Sequence, residues 1–417
     1  MRILIATAGS RGDIAPYTGP AVRLREAGHE VAIATHTRFE GLVRAAGVDF
    51  RPLPVDPREE LASDPGQRLL EAGGSPLALA RLLHLGRRFM PELGEGLLAA
   101  ARQGCDLLLL STTTAPMGDA VAEALGVQAA GLYLQPLTPT RAFPPAVATT
   151  RWLGRSGNHL AGHAVQAVTD RLFGPAVAGL RRTLGLRPLG VAAARRRSDL
   201  QGRPVLFGFS PTVVARPADW PVGQQVAGYW WPHPSADHRP PPGLAEFLDA
   251  GPPPVYIGFG SRVVRDADRL GDLLGTALRR SGLRAVVQPG WTGLTVRDAE
   301  VFTVDEVPHA WLFPRVAAVV HHCGAGTTAA GLRAGVPAVP VPAQLGAPFW
   351  AARLTALGVA AEPLPLRTLT AARLATALRR AVDDPVLRHR ARTVAARIAA
   401  EDGAARVVET VGRLAAD

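Results

Sequence analysis

The sequence predicts an α/β fold built from two similar halves, and three observations carry that expectation. Short apolar runs rich in branched residues alternate with helical patterns. The alternation stops at a proline-dense stretch near the middle and then restarts. Each half opens with an apolar strand that ends in a glycine-containing turn, Gly9-Ser10-Arg11-Gly12-Asp13 in the first and Gly258-Phe259-Gly260-Ser261 in the second.

In the first half, Ile3 to Thr7 reads as a buried strand. A helical pattern follows, with Ala21, Val22, Leu24 and Ala27 before Gly28, and then a strand at Val31 to Ala34. Asp106 to Leu110 and Gln128 to Leu134 are strands around a helix at Asp119 to Leu125. Segments 64 to 103 and 136 to 200 read as mixed helix and loop. Between Pro211 and Pro254 the prolines crowd too densely for a long helix or a central strand, so this stretch reads as an extended linker. In the second half, strands are expected at Val255 to Phe259, Ala285 to Gln288, Val316 to Val320 and Val336 to Val341. Helices are expected at 266 to 282, Thr327 to Ala334 and Phe349 to Leu357. From Thr370, a plausible N-cap, the chain reads as helical. The domains expected are 1–210, a linker at 211–253, 254–395, and a last helix at 396–417.

Of the 417 residues, 47% are hydrophobic and 19% charged, enough apolar material for buried cores. The net charge is +11, and there is no lysine, so the excess is arginine. Scattered arginines fit a GC-rich coding sequence better than a nucleic-acid surface, and no basic-aromatic motif supports nucleic-acid binding. Two unpaired cysteines, Cys105 and Cys323, give neither a disulfide framework nor a metal site. A cytoplasmic setting without stable membrane insertion is expected.

The strongest chemical signal is His321-His322-Cys323-Gly324-Ala325-Gly326-Thr327-Thr328, between an apolar strand and an Ala-rich helix. Small residues allow a ligand close to the backbone, and the helix N-terminus favours an anion. Thr327, Thr328 and His322 can add donors. The competing reading is a glycine-rich turn with a threonine cap. Asp13 could act as a general base, or simply serve the start of a helix. Ser261 reads as a turn hydroxyl or a ligand contact. Trp291 and Trp311 could stack on a base or sugar, although isolated tryptophans more often pack, and Trp230-Trp231 reads as a linker anchor.

At these motifs the chain resembles the bacterial antibiotic and sterol-type branch of the family 1 glycosyltransferases, which have the GT-B fold. The resemblance rests on Gly9 to Asp13, Ala215-Arg216-Pro217-Ala218-Asp219-Trp220-Pro221 with Gly228-Tyr229-Trp230, Pro254 to Ser261, Val307-Pro308-His309 with Leu312-Phe313, and the His321 to Thr328 segment. It implies two facing Rossmann-like domains with a deep cleft between them. The first would take a small hydrophobic acceptor and the second a TDP- or UDP-sugar. The last helix would cross back to the first domain. Transfer would be inverting, without metal or bound cofactor. The resemblance implies Asp13 as the base, and Ser10 and Arg11 on the acceptor side. It implies Ser261, His322, Gly324, Ala325, Gly326 and Thr327 around the diphosphate, and Val307 near the nucleoside. The family usually places Asp-Gln before Pro-Phe-Trp. Here Gly346-Ala347 stand in that place, two residues after Gln344. A pocket with fewer polar groups suits a deoxysugar. A catalytically silent partner protein and a nucleotide-sugar epimerase are the alternatives, and a monomer or homodimer is expected.

Overall fold

The computed structural model describes residues 1–54, 76–234, 239–260, 266–342 and 346–416. Among the described residues there are two parallel sheets. The first has the strand order β3-β2-β1-β4-β5-β6-β7. Its strands are β1 (Arg2–Ala6), β2 (Glu30–His36), β3 (Asp49–Leu53), β4 (Leu107–Leu110), β5 (Gln128–Tyr133), β6 (Val205–Phe207) and β7 (Gln224–Val226). The second has the order β10-β9-β8-β11-β12. Its strands are β8 (Val255–Gly258), β9 (Ala285–Gln288), β10 (Val301–Thr303), β11 (Ala318–His321) and β12 (Ala338–Pro340).

Helices cover both faces of each sheet, which explains the unbroken apolar strands. Along β1, Leu4 and Ala6 pack with Leu97 and Met117 on one side. Ile3 and Ile5 pack with Tyr17, Leu24 and Val407 on the other. In β8, Val255 and Ile257 meet Leu270, Leu274 and Leu278, while Tyr256 faces Leu312 and Phe313. The three leucines recur at i, i+4, i+8 on the helix Ala267–Ser281, one buried stripe.

Several elements were too short or too mixed for the sequence to announce. β6, β7 and β10 have three residues each, less than two periods of a strand. β3 carries Asp49, Arg51 and Pro52, a composition tolerated because it is an edge strand. The helices Pro76–Arg102 and Gly154–Thr183 pack against each other. The proline-rich stretch is not a free spacer. It supplies edge strand β7, buries Trp220, Tyr229 and Trp230, and later forms the short helix Leu244–Asp249.

Near its end the chain passes from one domain to the other. The helix Pro385–Ala399 packs on Ala325–Ala334, and Gly403–Ala416 packs on Arg11–Glu26. Between them, Glu401 accepts hydrogen bonds from Ser210 Oγ at 2.6 Å and Thr212 Oγ1 at 3.1 Å. Trp230 Nε1 donates to the Gly403 carbonyl at 3.1 Å. A Cβ on Gly403 would lie 2.5 Å from the Gly228 carbonyl oxygen, so this crossing admits only glycine without a backbone shift. Gly403→Ala should therefore lower stability by roughly 1–3 kcal/mol, the usual cost of overpacking. A denaturant midpoint unchanged from wild type would show that the crossing is loosely held.

Candidate active site

Strand order reverses between β1 and β4 in the first sheet and between β8 and β11 in the second. In open α/β sheets, such reversals leave a crevice at the carboxyl ends of the strands. The turns after β1, β8 and β11 are the ones that the sequence marked.

After β1, the chain enters the helix Arg11–Glu26 through Gly9, whose φ is +145°. A Cβ there would sit 2.6 Å from Asp13 Oδ2, so the absence of a side chain lets the carboxylate fold over the turn. Asp13 Oδ2 accepts hydrogen bonds from Ser10 N–H at 2.9 Å and Ser10 Oγ at 2.8 Å. Ser10 is the N-cap of a capping box, so Asp13 does serve the helix start. It also remains partly exposed, and burial raises its pKa above the ordinary carboxylate value against the lowering effect of Ser10. Both roles fit one carboxylate. The Gly9 N–H donates to His36 Nε2 at 2.9 Å, which ties the turn to the end of β2.

After β11 comes a second, tighter turn. His321 is buried, and its Nδ1 accepts the Cys323 N–H at 3.1 Å. Burial first, then His322 and His309, push its pKa down to about 3, so it stays neutral and shapes the turn. Cys323 has φ +62°, a left-handed conformation that a side chain adopts at a cost. The imidazole of His322 lies against two glycines. A Cβ on Gly260 would be 2.8 Å from His322 Cε1, and one on Gly324 2.6 Å from Nε2. Gly324 is the N-cap of the helix Ala325–Ala334 and, having no side chain, gives its first amides no side-chain cap of its own. Gly324, Ala325 and Thr327 are partly exposed and Gly326 is exposed. Thr328 is buried, 1% exposed, which takes its hydroxyl out of the cleft.

The helices Arg11–Glu26 and Ala325–Ala334 touch. Arg11 reaches across to Glu306 with an N–O distance of 2.6 Å, so it lies against the second domain rather than wholly on the acceptor side. Next to Glu306, Val307 is 4% exposed, with its side chain in the core beside Tyr256 and Phe313. His309 stacks on Phe313 at 4.3 Å and 15°. Burial and then the charge of Arg11 push the His309 pKa down to about 4. Beyond β12, Gly346 and Ala347 begin the helix Ala347–Leu357. Gln135, just after β5, meets this helix: its Oε1 accepts Trp350 Nε1–H at 3.1 Å. Ser261, Gln344 and the Trp291 side chain lie outside the described residues. Trp311 is stacked under the Arg315 guanidinium at 4.5 Å.

Sequence reasoning missed His36, Gln135 and Glu306. None lies in a glycine-rich turn, and each acts through a partner 27 to 295 residues away that only the fold brings near. Among the described residues, no group of three or more His, Cys, Asp or Glu could hold a metal ion. Nor is any helix among them long and apolar enough to cross a membrane.

Residues 293–414 match the erythromycin biosynthesis protein CIII-like C-terminal domain, and residues 3–80 match the glycosyltransferase family 28 N-terminal domain. A sterol 3-beta-glucosyltransferase of Arabidopsis thaliana is 33% identical over 98% of this chain. The chain spans 65% of that relative's length, under two thirds. The O-mycaminosyltylonolide 6-deoxyallosyltransferase of Streptomyces fradiae is 35% identical, over 97% of this chain and 95% of its own length. The crystal structure of the glycosyltransferase VinC in complex with DTDP superposes with a TM-score of 0.66 at 21% identity, covering 98% of this chain and 100% of that one.

Proposed function

Since the chain belongs to the family 1 glycosyltransferases of the antibiotic and sterol branch, with the GT-B fold, we propose that it transfers a sugar from a TDP- or UDP-sugar to a hydrophobic natural product. The observation that carries this reading is that the helix after β1 packs on the helix after β11, so the two marked turns belong to touching elements of the two domains. One helix bears a carboxylate of raised proton affinity, and the other starts at a glycine with no side-chain cap.

In the reaction proposed, an acceptor hydroxyl attacks the anomeric carbon from the face opposite the diphosphate. The carbon–oxygen bond to the diphosphate breaks as the new glycosidic bond forms, which inverts the centre. The acceptor's proton passes to Asp13. The diphosphate carries away the bonding electron pair, and its growing charge meets the first amides of the helix Ala325–Ala334, with His322 and Thr327 beside them. Ser261 joins this set in the proposal, and Val307 meets the nucleoside through its backbone, since its side chain is buried. A thymidine diphosphate bound to VinC supports a TDP-linked donor.

For the sugar, Gly346 and Ala347 offer no side-chain hydrogen bond at the start of their helix. A fully hydroxylated hexose would leave hydroxyls unpaired there, at roughly 1–3 kcal/mol each. The Streptomyces fradiae relative is named for a 6-deoxysugar, which supports a deoxysugar donor here.

Two outcomes test this function. Asp13→Asn should keep TDP binding in calorimetry yet lose about a hundredfold or more in kcat. The base must be ionised, and burial raises its pKa, so wild-type activity should fall on acidification at a pH above the ordinary carboxylate value of 3.8. That acid limb should vanish in the variant; a variant with wild-type kcat would leave Asp13 as a helix cap alone. In a donor panel read by mass spectrometry, TDP-deoxysugars should outpace UDP-glucose, and Gly346→Asp with Ala347→Gln should raise relative use of glucose. Faster turnover of UDP-glucose than of every deoxysugar donor would refute the donor assignment.

A further inference from the structure

We infer that Gln135, on the first domain, reads the donor sugar from across the cleft, an inference that rests on the transfer reaction proposed above. Gln135 follows β5 at the carboxyl end of the first sheet. Its Oε1 accepts the Trp350 indole N–H at 3.1 Å, from a residue 215 positions away. An indole nitrogen only donates, so the oxygen is the end of the amide turned to Trp350. The Nε2 end, with two hydrogens to give, is directed away from it.

The post that holds this amide is rigid. Trp350 is 1% exposed, with Phe209 at 6.1 Å and Phe349 at 5.3 Å between ring centroids. Gly346 lies close by: a Cβ built on it would stand 3.6 Å from the same Gln135 Oε1. Gln135 and Gly346 are both partly exposed, so the amide borders open space.

The strand order β8-β11-β12 frames that space. In the transfer proposed above the diphosphate sits at the end of β11, with one substituent towards β8 and the other towards β12. The β8 side carries the stacked His309 and Phe313 rings and the buried Val307, a setting for a flat base. The sugar therefore extends towards β12, where Gly346 and Ala347 contribute no polar side chain. Gln135 Nε2 is placed to donate to a hydroxyl oxygen of that sugar. One amide reads one hydroxyl and leaves other positions of the ring unread.

The test uses the full chain with a TDP-hexose and matched TDP-deoxyhexoses, each lacking a single hydroxyl. Gln135→Leu should lower kcat/KM at least about tenfold for donors carrying the hydroxyl that is read, the loss expected when one hydrogen bond of about 1.4 kcal/mol goes. For the donor that lacks this hydroxyl, the loss should stay within about twofold. Gln135→Met, which keeps the length of the side chain but loses the amide, should show the same selectivity change. TDP alone should bind both variants as it binds wild type, because TDP lacks the sugar that is transferred. A donor ratio unchanged in both variants would overturn the inference while the transfer reaction stood. So would a TDP affinity that falls in step with kcat/KM, since Gln135 would then only hold the domains together. Absence of turnover with every donor in wild type would instead overturn the transfer reading and this inference with it.

Discussion

The site depends first on an apolar seam between the two sheets. Phe143 and Phe209 of the first domain pack with Phe349 and Trp350 of the second, and the same cluster takes in Trp220, Tyr229, Cys323 and Ile398. Burial of apolar surface at such a seam is the dominant favourable term, at about 25 cal/mol per Å². Its role in function is geometric. It sets how far the carboxylate of Asp13 stands from the turn at His322, because each is fixed to its own sheet. The Arg353 guanidinium lies over Phe143 at 5.1 Å and Phe349 at 4.9 Å, so a cation also covers the seam's edge. Exposed ion pairs such as Arg11 with Glu306 add little energy by comparison, and direct the approach of the two domains rather than hold them.

Around that seam, small residues decide what can come close. Gly9 gives room to the Asp13 carboxylate, and Gly260 and Gly324 give room to the His322 ring. Each would meet a side-chain atom at under 3 Å if it bore a Cβ. Cys323 is the exception, held at φ +62° while its thiol packs into the seam. Its backbone strain is kept by the surrounding contacts, and it lies immediately before the amides that would face the diphosphate.

Much of this was legible in the sequence because the signals are local. Apolar runs bounded by glycine gave the central strands, and Thr370 does cap its helix, accepting the Arg373 N–H at 3.3 Å. The turns at Gly9 and Gly324 were legible for the same reason: strand, small residues and helix follow one another in the chain. Strands β6, β7 and β10 were not: β6 and β7 lie where the chain read as mixed or as linker, and the pairing of all three is decided by neighbours distant in sequence. The turn of Arg11 towards Glu306, the burial of Val307 and Thr328, and the reach of Gln135 to Trp350 were hidden too. They are set by the meeting of two domains, which no window of sequence contains.

The proposed transfer depends on a diphosphate seated on the first turn of the helix Ala325–Ala334. Hydrogen exchange of the backbone amides, with and without TDP, tests it most directly. Exchange at Gly324 to Thr328 should slow when TDP is bound, and that protection should be lost in His322→Ala at the same TDP concentration. TDP binding that leaves the exchange of these amides unchanged would contradict it.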